Sequence, residues 1–392
     1  MYQYIKSKNI LYGPPRNWHF VKGYLVINEG KIVDLIADAP HDSDVLDLEE
    51  DYVLPGFIDN HTHGAIGIDV SGCSSEELTK LSKFYAENGV AGYLPTLTSI
   101  SQQAAFKALD TIASSTCSDG AEILGIHMEG PCLNEKYRGA QSAEYLRNPS
   151  VDDFKEYIAA AKGLLRLVTL SPELDGGIDA IEFLKNQGVS VNIGHSNATF
   201  KESDEAFNAG AGCVSHFLNG MRAFHQHEPS IIGNVFLRDD VFVELICDGF
   251  HLVPDTVRVV NKILKVNRII LITDSIVAAG WPDGQYNTPC FTEPLVVKNG
   301  DTRLLYTNSR AGSTITLDKA FRNFIDFTGV RLEDAVLCVC ANPAKHIGLD
   351  DSLGSIEPWK RASLTVLNKG LSVVRTIVNG RSVYVSESMN KK

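Results

Sequence analysis

Apolar residues along this chain follow two regimes. From Leu54 to about residue 275, short β-rich apolar runs recur with amphipathic stretches between them. The runs are GFIDNHTHG, GYLPTLTS, ILGIHMEG, LRLVTLSPE, VSVNIGHS, GCVSHFLNG, FVELICDG and RIILITDS, eight in all. Helix signals fill most of the gaps. SSEELTKLSKFYAENG opens on a serine with acids in the following turn and closes on Gly89, and SQQAAFKALDTIASS, VDDFKEYIAAAKG, IDAIEFLKNQG and TFKESDEAFNAG read similarly. Continuous apolar strands, each followed by a helix, indicate a parallel sheet covered on both faces. Eight such units, with no G-x-G-x-x-G after the first strand, predict a closed (β/α)8 barrel of the TIM type rather than an open dinucleotide-binding sheet.

The flanks change character. Residues 1–53 hold short pieces such as GYLVINEGKIVDLIA, and the tail ASLTVLNKGLSVVRTIVNGRSVYVS alternates apolar and polar positions around NKG and NG turns. Both patterns read as antiparallel β structure. Neither end is large enough to bury a core alone. They are predicted to combine as a small β-sandwich domain, 1–53 plus 352–392, beside a catalytic barrel over 54–351.

Composition narrows the function classes. With 44% apolar and 21% charged residues over 392 positions, the chain reads as an ordinary globular protein. A formal net charge of −12 argues against nucleic-acid or anionic-membrane partners, which reward an excess of Lys and Arg. An anionic substrate would therefore need a local basic cluster. The opening MYQYIKSKNILYGPP lacks the apolar core of a secretory signal, and no run approaches the ~18 apolar residues of a spanning helix. The 8 cysteines are scattered without a C-x-x-C pair, which suits reduced thiols and a cytoplasmic location. Cys338 and Cys340 in AVLCVCANPA read as core, whereas Cys132 closely follows a candidate site.

In barrels of this kind the active site lies at the C-terminal strand ends. Strand 1 ends with His61 and His63, strand 3 with Glu129, strand 5 with His195, strand 6 with His216 and strand 8 with Asp274. Strand alternation sends His61 and His63 to one face and Thr62 to the other. Singly, such residues are more often caps or hydrogen-bonding groups. Carried on five of eight strand ends, they form a candidate centre for one or two divalent ions. Imidazole and carboxylate donors without cysteine suit Zn²⁺, and would also hold Fe²⁺, Co²⁺ or Mn²⁺. Such an ion brings the pKa of bound water toward about 7 and polarises a carbonyl, so hydrolysis is the natural chemistry. A nearby carboxylate such as Asp274 can move the proton.

These motifs, with GHSNAT, DGFH, LITDS, AGST, NPAKHIG and GSIEPWKRASLTVLN in the same order, resemble the amidohydrolase superfamily and, within it, the N-acetylglucosamine-6-phosphate deacetylases. The resemblance covers essentially the whole chain. It implies that Glu129, His195 and His216 bind the principal metal, that His61 and His63 hold a second ion with Glu129 bridging, and that Asp274 is the general acid/base. The implied reaction releases acetate from a 2-acetamido sugar phosphate, in a homodimer. Ala140 and Gln141 of RGAQSAE, Asn219 and Gly220 of LNGM, His227 of HEPS and His251 of DGFH are the implied substrate contacts. Two positions depart from the family's pattern. Gln141 stands where relatives commonly carry a histidine that polarises the carbonyl, and an amide cannot carry charge. His227 stands where REPG supplies an arginine to the phosphate, and histidine is largely neutral at pH 7. Arg222, His225, Lys136 and Arg138 are candidates to compensate. Alternatives are the galactosamine epimer, an unphosphorylated sugar or another small amide. A catalytically dead scaffold would have lost ligands, and none is missing. LRLVTLSPE offers no lysine of the kind that carbamylated amidohydrolases place on strand 4.

Overall fold

Eight parallel strands form a barrel in the computed structural model, which describes residues 3–387. They are Phe57–Thr62, Val90–Leu97, Ile126–Glu129, Leu165–Leu170, Ser190–Ile193, Cys213–Val214, Phe242–Ile246 and Ile269–Ile272. Each pairs in parallel with its sequence neighbour. The seam between last and first closes at the C-terminal end, where Asp274 N–H donates to the His61 carbonyl at 2.9 Å and His63 N–H to the Ser275 carbonyl at 2.8 Å. Val90–Leu97 and Ile269–Ile272 are buried throughout, as strands covered on both faces must be.

The five anticipated helices span Ser75–Glu87, Gln102–Ser114, Val151–Ala160, Gly177–Asn186 and Phe200–Ala209. Local chemistry sets their ends. Ser74 and Glu77 form a reciprocal cap, as do Thr199 and Glu202, each worth about 1 kcal/mol. Ser230–Leu237, Pro254–Leu264 and Leu317–Thr328 add to the outer ring. Before the last of these the chain makes an excursion that its patterning did not reveal. Gly284–Tyr286, Leu295–Lys298 and Asp301–Leu304 form an antiparallel three-stranded sheet, which buries Leu295, Val297 and Leu304 against Ile276, Ala278 and Ala311.

The chain ends meet in one eight-stranded sheet beside the barrel. Leu364–Leu367 lies antiparallel to Tyr52–Pro55 and joins the C-terminal strands to the N-terminal ones. Ile10, Leu25, Ile27, Ile32, Val53, Leu364, Val366 and Ile377 share its own apolar cluster. Two threonines tie this sheet to the barrel. Thr365 Oγ1 accepts from Phe57 N–H at 3.0 Å and donates to the Gly89 carbonyl at 2.6 Å, and Thr376 Oγ1 donates to the Ala86 carbonyl at 2.6 Å. All eight cysteines are free thiols. Cys338 and Cys340 are fully buried core residues, and Cys132 is also core, its thiol pushed up to about 12 by burial. Among the described residues no helix is long and apolar enough to cross a membrane.

Candidate metal centre

His61 and His63 sit at the end of the first barrel strand with the alternation expected. Their rings face inward, while Thr62 Oγ1 bonds Tyr85 on the outer helix at 2.8 Å. The third strand brings Glu129 beneath them. Glu129 Oε1 lies 3.3 Å from His61 Nε2, 3.2 Å from His195 Nε2 and 3.0 Å from His216 Nε2, while Oε2 lies 3.2 Å from His63 Nε2. Asp274 Oδ1 is 3.2 Å from His63 Nε2 and 3.7 Å from His61 Nε2. Two ligand triads result, His61–His63–Asp274 and Glu129–His195–His216, all six residues buried.

This convergence strains the backbone. His195, His216 and Asp274 have φ of +48°, +30° and +47°, the left-handed region that few non-glycine residues enter. Each turns sharply off its strand so that the side chain points back over the barrel. Such conformations cost on the order of 1–3 kcal/mol each and persist where surrounding contacts over-determine them. For Asp274 those contacts come partly from the AGST segment. Ser313 N–H donates to the Asp274 carbonyl at 2.8 Å, and Gly312, at φ +59°, lies so close that a Cβ there would sit 2.8 Å from the same oxygen.

All four imidazoles are oriented alike. Nδ1 of His61 bonds Glu244 at 2.9 Å, that of His63 the Thr96 carbonyl at 3.0 Å, that of His195 the Tyr137 carbonyl at 2.7 Å and that of His216 the Asn219 carbonyl at 3.2 Å. Every one of these partners only accepts. The proton therefore belongs on Nδ1, which leaves four Nε2 lone pairs aimed at the space around Glu129. His195 Nε2 and His216 Nε2 stand only 3.1 Å apart, and His61 Nε2 is buried without a hydrogen-bond partner. An orphaned lone pair and two facing lone pairs are costly in a protein interior but are what a cation requires. The residues present fit a divalent ion.

Electrostatics agrees. Burial works against charge on Glu129, yet His61 and His195 hold its carboxyl well below the usual carboxylate range. Burial likewise opposes ionisation of Asp274, and His63 and His61 outweigh it to lower its pKa. His63 is disfavoured as a cation by burial but is held up to about 9 by Asp274 and Glu129. Mutual dependence of this kind lets one cation replace several protons.

The centre lies in a cavity of about 640 Å³ that also reaches Ala140, Gln141, Asn219, Gly220 and His251. Gln141 is committed to the centre itself. Its Nε2 donates to Glu129 Oε2 at 2.6 Å while Oε1 accepts from Ser99 N–H at 2.7 Å, so it holds the carboxylate in place. His251 is fixed by Asp248, 2.7 Å from Nδ1. His227 does not line this cavity. It is exposed on the same short loop as His225, and Lys136, Arg138 and Arg222 are also absent from the walls. Arg310 is the one Lys or Arg among the described wall residues. Its Nε donates to Asp301 at 2.7 Å, and Arg303 shares that carboxylate at 3.0 Å, so the trio keeps a net positive charge. Arg310 escaped sequence reasoning because it sits beyond the three-stranded excursion. The signal for Glu244 and Asn192, both fully buried, was a lone polar residue inside an apolar strand.

A barrel that gathers four imidazoles and two carboxylates beneath one cavity is a metal-dependent hydrolase, and the chain belongs to the amidohydrolase family, whose sequence model matches residues 52–383. Within that family it is similar to the N-acetylgalactosamine-6-phosphate deacetylase of Escherichia coli O157:H7, at 35% identity over 92% of this chain and 96% of the relative. It is also similar to the N-acetylglucosamine-6-phosphate deacetylase of Bacillus subtilis strain 168, at 33% identity over 94% of each. Among solved structures, a point mutant of N-acetyl-D-glucosamine-6-phosphate deacetylase from Mycobacterium smegmatis, in complex with N-acetyl-D-glucosamine-6-phosphate, superposes with a TM-score of 0.89. The sequence identity is 29%, over 98% of this chain and 100% of that one.

Proposed function

We propose that the protein hydrolyses the acetamide of N-acetylglucosamine-6-phosphate, releasing acetate and glucosamine-6-phosphate. The observation that carries this reading is the set of three imidazoles and two carboxylates at the floor of a cavity sized for a sugar, with His61 buried directly behind them. Glu129, His195 and His216 would hold one divalent ion, and His61 and His63 a second with Glu129 shared. Zn²⁺ is the best match to nitrogen and oxygen donors without sulfur. Bound there, such ions supply Lewis acidity, which acidifies water and polarises an amide carbonyl.

The chain's own residues do the rest. Asp274, held ionised by its histidine neighbours, accepts a proton from the attacking water and returns it to the departing sugar nitrogen. Gln141 fixes Glu129 and contributes no charge. Asn219, Gly220, His251 and Arg310 line the cavity wall available to the sugar and its phosphate. His227 is exposed and outside this cavity's wall, and in the homodimer proposed here a phosphate contact from it would go to a neighbouring subunit's substrate. Eight free thiols support a cytoplasmic location.

The test is the initial rate of acetate release by zinc-reconstituted protein at equal, subsaturating concentrations of N-acetylglucosamine-6-phosphate, its galactosamine epimer and unphosphorylated N-acetylglucosamine. A rate at least tenfold higher with the first than with the last, about 1.4 kcal/mol of differential transition-state stabilisation, is expected. Faster turnover of the epimer would reassign the substrate, and no acetate from any of the three would refute the deacetylase reading.

A further inference from the structure

Glu244 takes no part in the chemistry described above, yet it is a fully buried carboxylate in the strand Phe242–Ile246. Among the described residues no Lys or Arg pairs with it; its one ion-pair partner is His61. Burying an acid beside neutral donors costs stability that a buried amide would not, which points to a role an amide cannot fill. Its hydrogen bonds show what that is. Oε2 lies 2.9 Å from His61 Nδ1, and Oε1 accepts from Asn192 Nδ2 at 2.9 Å. Asn192 Oδ1 in turn lies 2.7 Å from His346 Nε2. His346 lines a small cavity with Lys185, Ser190 and Gly212, at the N-terminal ends of the fifth and sixth strands. A hydrogen-bonded line thus runs through the barrel from the metal centre to its opposite end.

The line has one direction. A carboxylate only accepts, so Asn192 must turn its NH₂ toward Glu244 and its oxygen toward His346, and His61 must carry its proton on Nδ1. Glu244 is flanked by two donors and meets both. A glutamine there would present one acceptor and one donor, so one flank would face donor against donor. His61 could relieve the clash by moving its proton to Nε2, the atom that is buried and unpartnered beside Glu129. That tautomer has no lone pair for a cation.

We infer that Glu244 is a positioning residue that fixes the tautomer of His61, and thereby sustains the cation site formed by His61 and His63 separately from the one at Glu129, His195 and His216. The inference rests on the metal-centre reading above. Its test is metal stoichiometry and affinity, measured on the full chain by stripping with chelator, titrating with Zn²⁺ and counting ions by mass spectrometry. Wild type is expected to hold two ions. Glu244→Gln is expected to keep one and to bind the other about 10- to 100-fold more weakly, while adding Glu244→Gln to His61→Asn causes no further loss. If the variant does not fold, selective ¹⁵N-histidine spectra of metal-free wild type keep the inference testable: neutral His61 should already carry its proton on Nδ1. Two ions of unaltered affinity in Glu244→Gln, or a proton on His61 Nε2, would overturn the inference. So would a single wild-type ion that Glu244→Gln leaves unchanged. A wild type that binds no ion overturns the functional reading itself, and the inference falls with it.

Discussion

Replacing Asp274 with asparagine separates the proton's carrier from the architecture around it. Asparagine keeps the volume and is among the residues that best tolerate the left-handed backbone found there, at φ +47°. The backbone bonds to His61 and Ser313, 2.9 and 2.8 Å, do not involve the side chain. What changes is one oxygen and one charge beside His63 Nε2, 3.2 Å away. The fold should therefore survive with a melting temperature close to wild type. Turnover should not, because an amide cannot take a proton at neutral pH and general acid/base catalysis is worth roughly 10²- to 10⁴-fold. That range corresponds to about 3–5 kcal/mol on the barrier. Acetate release at saturating substrate, with the metal content of both proteins matched, reads the effect directly. A kcat within threefold of wild type would remove Asp274 from proton transfer and leave it a holder of His63.

Two further perturbations probe the rim and the far end of the barrel. Arg310→Met removes the cation on the cavity wall while Arg303 continues to satisfy Asp301. A charge-assisted hydrogen bond of roughly 1.5–3 kcal/mol translates to an expected loss of about 10- to 150-fold in kcat/KM for the phosphorylated sugar, with under twofold change for the unphosphorylated one; equal losses on both would exclude a phosphate contact. His346 is pushed from 6.5 down to about 4 by burial. Between those pH values the unfolded chain binds a proton that the native state refuses, so its contribution is complete above pH 6.5 and declines as pH falls toward 4. The linkage amounts to about 3 kcal/mol and should vanish in His346→Gln, as read from urea unfolding at pH 7 and pH 4.5; parallel losses in both proteins would show that His346 does not titrate as described.

Much of this centre could be read from residue order because barrels place function at strand ends, and an apolar run ending in histidine or a carboxylate marks such an end. The H-x-H pair, Glu129, His195, His216 and Asp274 were all legible for that reason. Legibility stopped where the ladder did. GCVSHFLNG reads as a long strand, but only Cys213–Val214 pairs in the sheet, since the chain turns off through left-handed backbone at His216 and Leu218. The terminal segments announced β structure through alternation, while their union into one sheet depends on a pairing between Tyr52–Pro55 and Leu364–Leu367 that no local pattern encodes. Gln141 lines the cavity as the motif implies, and its bond to Glu129, which no local pattern encodes, appears only in the fold. Glu244 and Arg310 acquire meaning only from neighbours more than 50 residues away or across a cavity.

That late pairing has a consequence for how the molecule is made. Strand Tyr52–Pro55 leaves the ribosome some 300 residues before its partner Leu364–Leu367, an interval of about 15–60 s at typical elongation rates of roughly 5–20 residues per second. Throughout it, the N-terminal strands present an unpaired edge to the cell while the whole barrel is still being synthesised. An exposed edge of this kind is a template for foreign strands. Glu49, Glu50 and Asp51, which immediately precede that strand in the chain, put acidic charge at its entrance until the chain's own C-terminal strand arrives.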